Sequence, residues 1–263
     1  CVMCPWTAER CRADDRALMT PEVWAAIRPH LDQVASVDFT GGGEPLLNPH
    51  LFDWIAEAKA AGCTVGFLTN GMRLDAGAAE RVVAAGTDWV AVSVDGATRE
   101  VYERYRPGAD FDTVTGNIRR LAAARADPRP RLMVNFVMMP DNVDQVVEVV
   151  ELAADLGVEV VNLKQADVAR GEHGRGYALF ARREERRLDR LRRLVRRAVR
   201  RGRRLGVEVK TTSFVPEELP VCEQDPRDAL FVRYDGTMAP CINLAIGGPT
   251  TFLGRPVTMP AVS

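Results

Sequence analysis

The chain has 263 residues, 46% hydrophobic and 27% charged, with a formal net charge of -1. That length and balance suit one large domain, or a domain with a small appendage, with ample residues for a core. Near-neutral charge argues against a general nucleic-acid binder, and neither a signal peptide nor an apolar run near the roughly eighteen residues of a membrane span is visible, so a cytoplasmic protein is expected.

Helical and strand patterns alternate along the chain. Thr20-Pro21-Glu22 caps and opens a helix reaching about Gln33, because proline fits the first helical turn. A strand over 35–40, a helix over 50–61 and the strand Thr64–Thr69 follow, the last ending at Asn70-Gly71. A helix near 76–85 leads to the strand Asp88–Val94, then helical stretches at 98–104 and 111–125 precede the strand Leu132–Met139. Asn142 with Gln145 reads as a capping box for a helix to Leu156. The strand Glu159–Lys164, an arginine-rich helix and the strand Val207–Thr212 complete the series. Thirteen arginines lie between Arg182 and Arg204, flanking an apolar stripe of Leu188, Leu191, Leu194, Val195, Ala198 and Val199, so they form the solvated side of an amphipathic helix.

Strand and helix in alternation mean a parallel sheet of right-handed crossover units. Alternation does not choose between an open doubly wound sheet and a barrel. Polar residues gather at the C-terminal ends of strands, at 40–44, 69–71, 93–96 and 164–165, where ligands bind in both architectures. In the strand ending at Asp95, Val90, Val92 and Val94 share one face, while Ala91, Ser93 and Asp95 share the other. Asn135 lies mid-strand opposite an apolar face and is readable as a satisfied core amide or a ligand contact. The connection 166–177, with Gly171, Gly174 and Gly176, is readable as a surface loop or as a rim that touches substrate.

Two clusters carry chemistry. Gly41-Gly42-Gly43-Glu44-Pro45 follows a strand; its glycines let backbone approach a ligand, and exposed carbonyls beside one carboxylate suit an ammonium group. It lacks the lysine and hydroxyl residue of a phosphate-binding loop. The second cluster is cysteine: Cys1-x2-Cys4 at the start, Cys222 and Cys241 near the end, with Cys11 and Cys63 between. Six cysteines so placed are not a disulfide framework, and a tetrahedral zinc site on Cys1, Cys4, Cys222 and Cys241 stands open beside iron-sulfur ligation. Cys63 is expected to pack in the core, and the histidines 30, 50 and 173 are scattered.

The joint order Cys-x2-Cys-Pro, Gly-Gly-Glu-Pro, Thr-Asn-Gly, Ser-Val-Asp-Gly and Cys-x13-Gly-x4-Cys resembles the radical S-adenosylmethionine (radical SAM) superfamily, with a SPASM or twitch extension. The resemblance implies an α/β fold, a partial (βα)6 TIM-like barrel over 1–213, its first strand upstream of Cys1. It also implies the beginning of a small cysteine-containing extension over 214–263. In that family C-x3-C-x2-C holds a 4Fe-4S cluster; its first cysteine would stand four positions before Cys1, so the chain is expected to be a fragment, inactive alone.

By the same resemblance Cys1 and Cys4 are cluster ligands, and Cys222 and Cys241 are ligands of an auxiliary Fe-S cluster. Gly42, Gly43 and Glu44 grip the SAM amino group, Ser93, Asp95 and Asn135 contact SAM, and Met3 packs on its adenine. The implied activity is reductive cleavage of SAM to a 5′-deoxyadenosyl radical that abstracts hydrogen from a peptide or small-molecule substrate. An electron donor such as flavodoxin or ferredoxin would serve it, with no nucleic acid or membrane partner. A degenerate scaffold of this fold and a zinc-stabilised binding module are the competing readings.

Overall fold

A computed structural model of the chain describes residues 1–4, 18–125, 127–166, 168–169, 176–177, 185–211, 228–246, 248–252 and 255–259. Six strands form one all-parallel sheet: β1 (Ser36–Asp38), β2 (Thr64–Thr69), β3 (Trp89–Ser93), β4 (Arg131–Met138), β5 (Val160–Gln165) and β7 (Glu208–Thr211). They lie side by side in chain order, β1-β2-β3-β4-β5-β7. A doubly wound sheet reverses direction at a switch point and carries helices on both faces. Here every crossover steps the same way, so right-handed connections put all the helices on one face and leave the other as a lumen. The fold is therefore an α/β partial barrel of six parallel strands, the first five each followed by helix.

The helices are α1 (Pro21–Ile27), α2 (Leu51–Ala60), α3 (Ala76–Ala84), α4 (Arg99–Tyr105), α5 (Phe111–Ala124), α6 (Val146–Asp155) and α7 (Glu185–Leu205). The core lies between them and the sheet: Val65 and Phe67 of β2, Val90 and Val92 of β3, Leu132, Val134 and Phe136 of β4, and Val161 and Leu163 of β5 are all buried there. The register puts the alternate residues on the lumen side, among them Asp38, Gly66, Ala91, Ser93, Asn135, Asn162 and Lys210. At the N-terminal end of the strands the Trp89 indole covers Gly66, where a Cβ would lie 2.2 Å from the ring. Arg131 of β4 and Glu208 of β7 pair across the intervening β5 on the same face, in keeping with a wall curved toward it.

Sequence and structure agree on most elements. The apolar stripe of α7 meets the core as expected, with Leu191, Val195 and Ala198 buried and Leu188, Leu194 and Val199 packed beside them. Cys63 is buried, its thiol 3.2 Å from the Leu31 carbonyl oxygen. Two expectations are corrected. The first helix stops at Ile27 and tightens to a 3-10 segment over Arg28–Gln33, because Pro29 has no N–H to continue the α ladder. The capping box at Asn142 and Gln145 does not form: the first turn, Val143–Gln145, is 3-10, and both side chains bind other loops. Gln145 Oε1 accepts from the Ala97 N–H, and Asn142 bonds Met139, Val137 and Asp95.

Beyond the barrel, β8 (Phe231–Val232) and β9 (Met238–Ala239) form the expected hairpin around Arg233–Thr237, with Gly236 at φ +86°. The short helix α8 (Ile242–Ile246) follows, then an antiparallel pair, β10 (Gly248–Phe252) and β11 (Arg255–Met259). β10 also pairs with β6 (Val168–Ala169), so the connection after β5 gives a strand to this C-terminal sheet. The rest of that connection lies largely outside the described residues, His173 included.

Candidate functional site

Cys1 and Cys4 occupy one turn, closed by a 3.2 Å hydrogen bond from the Cys4 N–H to the Cys1 carbonyl. Cys1 is exposed, and Met3 and Cys4 are half-buried. The turn is docked on the end of α4 at two points. The Val2 N–H donates to the Tyr105 carbonyl at 3.1 Å, and an Nη of Arg106 lies 3.4 Å from Cys1 Sγ. Arg106 is held in turn by Asp95, whose Oδ2 accepts from Nε at 2.7 Å and from the other Nη at 2.6 Å.

Asp95 is fully buried. Its second oxygen accepts from the Val137 N–H at 2.8 Å, and its carbonyl accepts from the Asn142 amide at 3.0 Å. The carboxylate that the sequence marks for ligand contact is thus engaged by Arg106 and the backbone. Gly96 makes this possible, since a Cβ there would lie 2.4 Å from the Tyr102 nitrogen, where α4 crosses the strand end.

Glu44 has a similar place on the glycine loop. Its carboxylate accepts from Thr69 Oγ1 at 2.6 Å, the Asn70 N–H at 2.7 Å and the Leu46 N–H at 3.2 Å. It staples the loop after β1 to the end of β2, and Thr69 Oγ1 also accepts from the Gly71 N–H. A carboxylate offers about four acceptor positions, so one remains for a ligand ammonium. Beneath the loop, Thr40 Oγ1 donates to Asp38 and accepts from the Leu68 N–H. Asp38 is an exposed residue; desolvation raises its pKa against the Thr40 bond.

One level of the lumen carries a polar row. Register aligns Ser93 with Asn135, Asn135 with Asn162, and Asn162 with Lys210. Asn162 Nδ2 donates to Asn135 Oδ1 at 2.7 Å, and the Asn135 carbonyl accepts from the Val94 N–H. Asn135 is accordingly a lumen amide, not a core one. Ser93 is buried beside it at 8% exposure.

Cys241 is half-buried and its carbonyl accepts from the Ala245 N–H at the start of α8. The hairpin before it reaches the glycine loop, where Phe231 lies 4.0 Å from a Cβ built on Gly41. Cys222 and Cys11 lie outside the described residues. Among the described residues no three metal-ligating side chains gather; Cys1 and Cys4 share one turn. Two soft thiolates on one turn fit two corners of an iron-sulfur cluster, and the open acceptor of Glu44 with the polar row fits a zwitterionic amino-acid ligand.

Residues 1–163 match the Radical SAM superfamily. The chain belongs to that superfamily. As a radical SAM chain it is 32% identical over 133 residues to the AdoMet-dependent heme synthase of Methanosarcina barkeri, covering 48% of this chain and 37% of that protein. It is 31% identical over 148 residues to the PqqA peptide cyclase of Streptomyces rochei, covering 56% and 40%. The chain thus spans well under half the length of the curated relatives it matches. In fold it resembles Streptococcus suis SuiB bound to S-adenosylmethionine, with a TM-score of 0.65 at 15% identity over 87% of this chain and 54% of that one.

Sequence reasoning missed Arg106, Asp38 and Asn162. Asp38 and Asn162 carried a usable signal, a polar residue on the lumen phase of an otherwise apolar strand. Arg106 carried none, because its partners Asp95 and Cys1 are 11 and 105 residues away.

Proposed function

We propose that this chain is the catalytic barrel of an enzyme that cleaves SAM reductively at a 4Fe-4S cluster and abstracts hydrogen from a peptide or small-molecule substrate. The observation that supports it is the two-thiol turn of Cys1 and Cys4, in a chain of the radical SAM superfamily that also carries the Glu44 loop and the polar row. When bound, the cluster and SAM supply a 5′-deoxyadenosyl radical. The chain's residues bind and orient. Cys1 and Cys4 give two thiolates, and a cysteine four positions before Cys1 is the expected third. The backbone at Gly42 and Gly43 and the remaining acceptor of Glu44 take the ammonium of SAM. Ser93, Asn135 and Asn162 offer hydroxyl and amide partners to its polar groups or to substrate, and Met3 offers an apolar contact to the adenine.

We assign 1–213 to the barrel and 214–263 to the opening of a SPASM- or twitch-type extension, with Cys222 and Cys241 as ligands of an auxiliary cluster. The names of the relatives divide between a peptide and heme, in keeping with a peptide or small-molecule substrate. A flavodoxin or ferredoxin in the cytoplasm is the proposed electron donor.

The experiment is anaerobic EPR of the complete gene product, reconstituted with iron and sulfide, reduced, and recorded with and without SAM. A 4Fe-4S signal that changes with SAM is expected. A colourless zinc protein, or a cluster indifferent to SAM, would overturn the reading in favour of a binding module or a degenerate scaffold.

A further inference from the structure

We propose that Arg106 sets the reduction potential of the cluster by hydrogen-bonding the Cys1 thiolate, with Asp95 as the residue that aims it. The proposal rests on the cofactor reading above. Arginine presents five N–H donors in a rigid fork. Asp95 takes the Nε edge and one Nη at 2.7 and 2.6 Å, which leaves the other Nη directed at Cys1 Sγ, 3.4 Å away. Asp95 cannot turn, being fully buried and fixed by the Val137 N–H on its other oxygen. The Arg106 side chain is 10% exposed, so water competes little for it.

Such a pair is an expensive thing to bury for stability alone, because well-packed apolar residues often serve as well or better. Its geometry has a chemical consequence instead. An N–H donor at a cluster sulfur draws charge from the thiolate and favours the more negative, reduced state, and such hydrogen bonds are among the determinants of cluster potential. Since Asp95 neutralises the guanidinium, the effect comes through the hydrogen bond more than through a net charge. Lysine can meet Asp95 or approach Cys1, but has no fork to do both. Arg106 is therefore a positioning residue for a cluster ligand, and charge alone will not replace it.

The test is a redox titration of the reconstituted complete gene product, wild type against Arg106→Lys and Arg106→Gln. The reduced-to-oxidised ratio is read by EPR at a fixed applied potential. The expected result is a ratio at least tenfold lower in both variants, which is about 59 mV for a one-electron couple. Arg106→Lys keeps a cation for Asp95, so it carries the measurement if Arg106→Gln does not fold. Loss of iron from both variants with unchanged circular dichroism overturns the proposal as stated, since Arg106 would then hold the cluster rather than tune its potential. Wild-type ratios in a folded, iron-replete lysine variant overturn it. A SAM-responsive wild-type cluster with unmoved variants rejects this inference alone, whereas a wild type without such a cluster rejects the cofactor reading and this inference with it.

Discussion

Removing the Asp95 carboxylate tests the buried network directly. In Asp95→Ala the Arg106 guanidinium, itself almost wholly buried, loses both bonds to its counter-ion, and the Val137 N–H loses its acceptor. Breaking a buried ion pair by deleting one partner costs about 3–5 kcal/mol. The orphaned N–H alone is worth about 1–3 kcal/mol, but the two do not add fully, because water can enter the vacated space. A net loss of about 3–5 kcal/mol corresponds to a fall in Tm of about 6–20 °C for a chain near this size. Asp95→Asn keeps one acceptor and should lose less. The pair Asp95→Leu with Arg106→Met should regain much of the loss, since no buried charge is left uncompensated. Thermal unfolding followed by circular dichroism on the three variants reads this. An alanine variant within about 1 kcal/mol of wild type would refute the reasoning, as would a double variant less stable than the alanine one.

Two further predictions concern pH. Burial works against ionisation of Asp88, but the hydrogen bonds from Lys59 Nζ and the Val65 N–H outweigh it and hold its carboxyl below the usual range. Its contribution is therefore complete above the ordinary value of about 3.9 and is lost as pH falls through the lowered folded value. Urea unfolding at pH 7 and in acid should show wild type losing more stability than Asp88→Asn; equal losses would refute this. Asp38 behaves oppositely, since desolvation raises its pKa and its ionised form is disfavoured in the folded chain. Asp38→Asn should raise Tm at pH 7 by a small amount, because solvent screens an exposed carboxylate, with the gain shrinking as pH falls through the raised value and gone below about 3.9. A gain that persists in acid would point to packing rather than charge.

What the sequence made legible follows from which patterns are local. Period-two alternation put Val90 and Val92 on one face and Ser93 on the other, and the fold turns the valines to the helices and Ser93 to the lumen. The stripe of α7 was legible for the same reason, at period 3.6. The choice of a barrel over a doubly wound sheet was not, because strand order depends on pairings between segments distant in sequence. Asn142 misled for a related cause. Its spacing to Gln145 matches a capping box, but the chain has more demanding uses for both amides in the loops at 95–97 and 137–139. Asp95 carried a ligand reading, and only the fold brings Arg106 across to it.

Glu44 shows how a residue can hold both a structural and a ligand role, and the two can be separated. Glu44→Ala abandons three donors, the Thr69 hydroxyl and the N–H groups of Leu46 and Asn70, so the loop after β1 loses its tie to β2. Glu44→Gln keeps one acceptor oxygen but turns an NH2 toward one of those donors and removes the charge. One charge-assisted bond is worth about 1.5–3 kcal/mol, so the glutamine variant should fall by about that much and the alanine variant by more. If the carboxylate serves only as a staple, SAM affinity should follow stability, and a more stable background should restore it in Glu44→Gln. If its remaining acceptor also meets the ammonium of SAM, the glutamine variant should lose SAM binding that no gain in stability recovers. Calorimetric titration of SAM, on wild type and Glu44→Gln at temperatures where both are fully folded, decides between them. Unchanged affinity in the glutamine variant would leave Glu44 as a staple and shift the recognition of the ammonium to the backbone of Gly42 and Gly43.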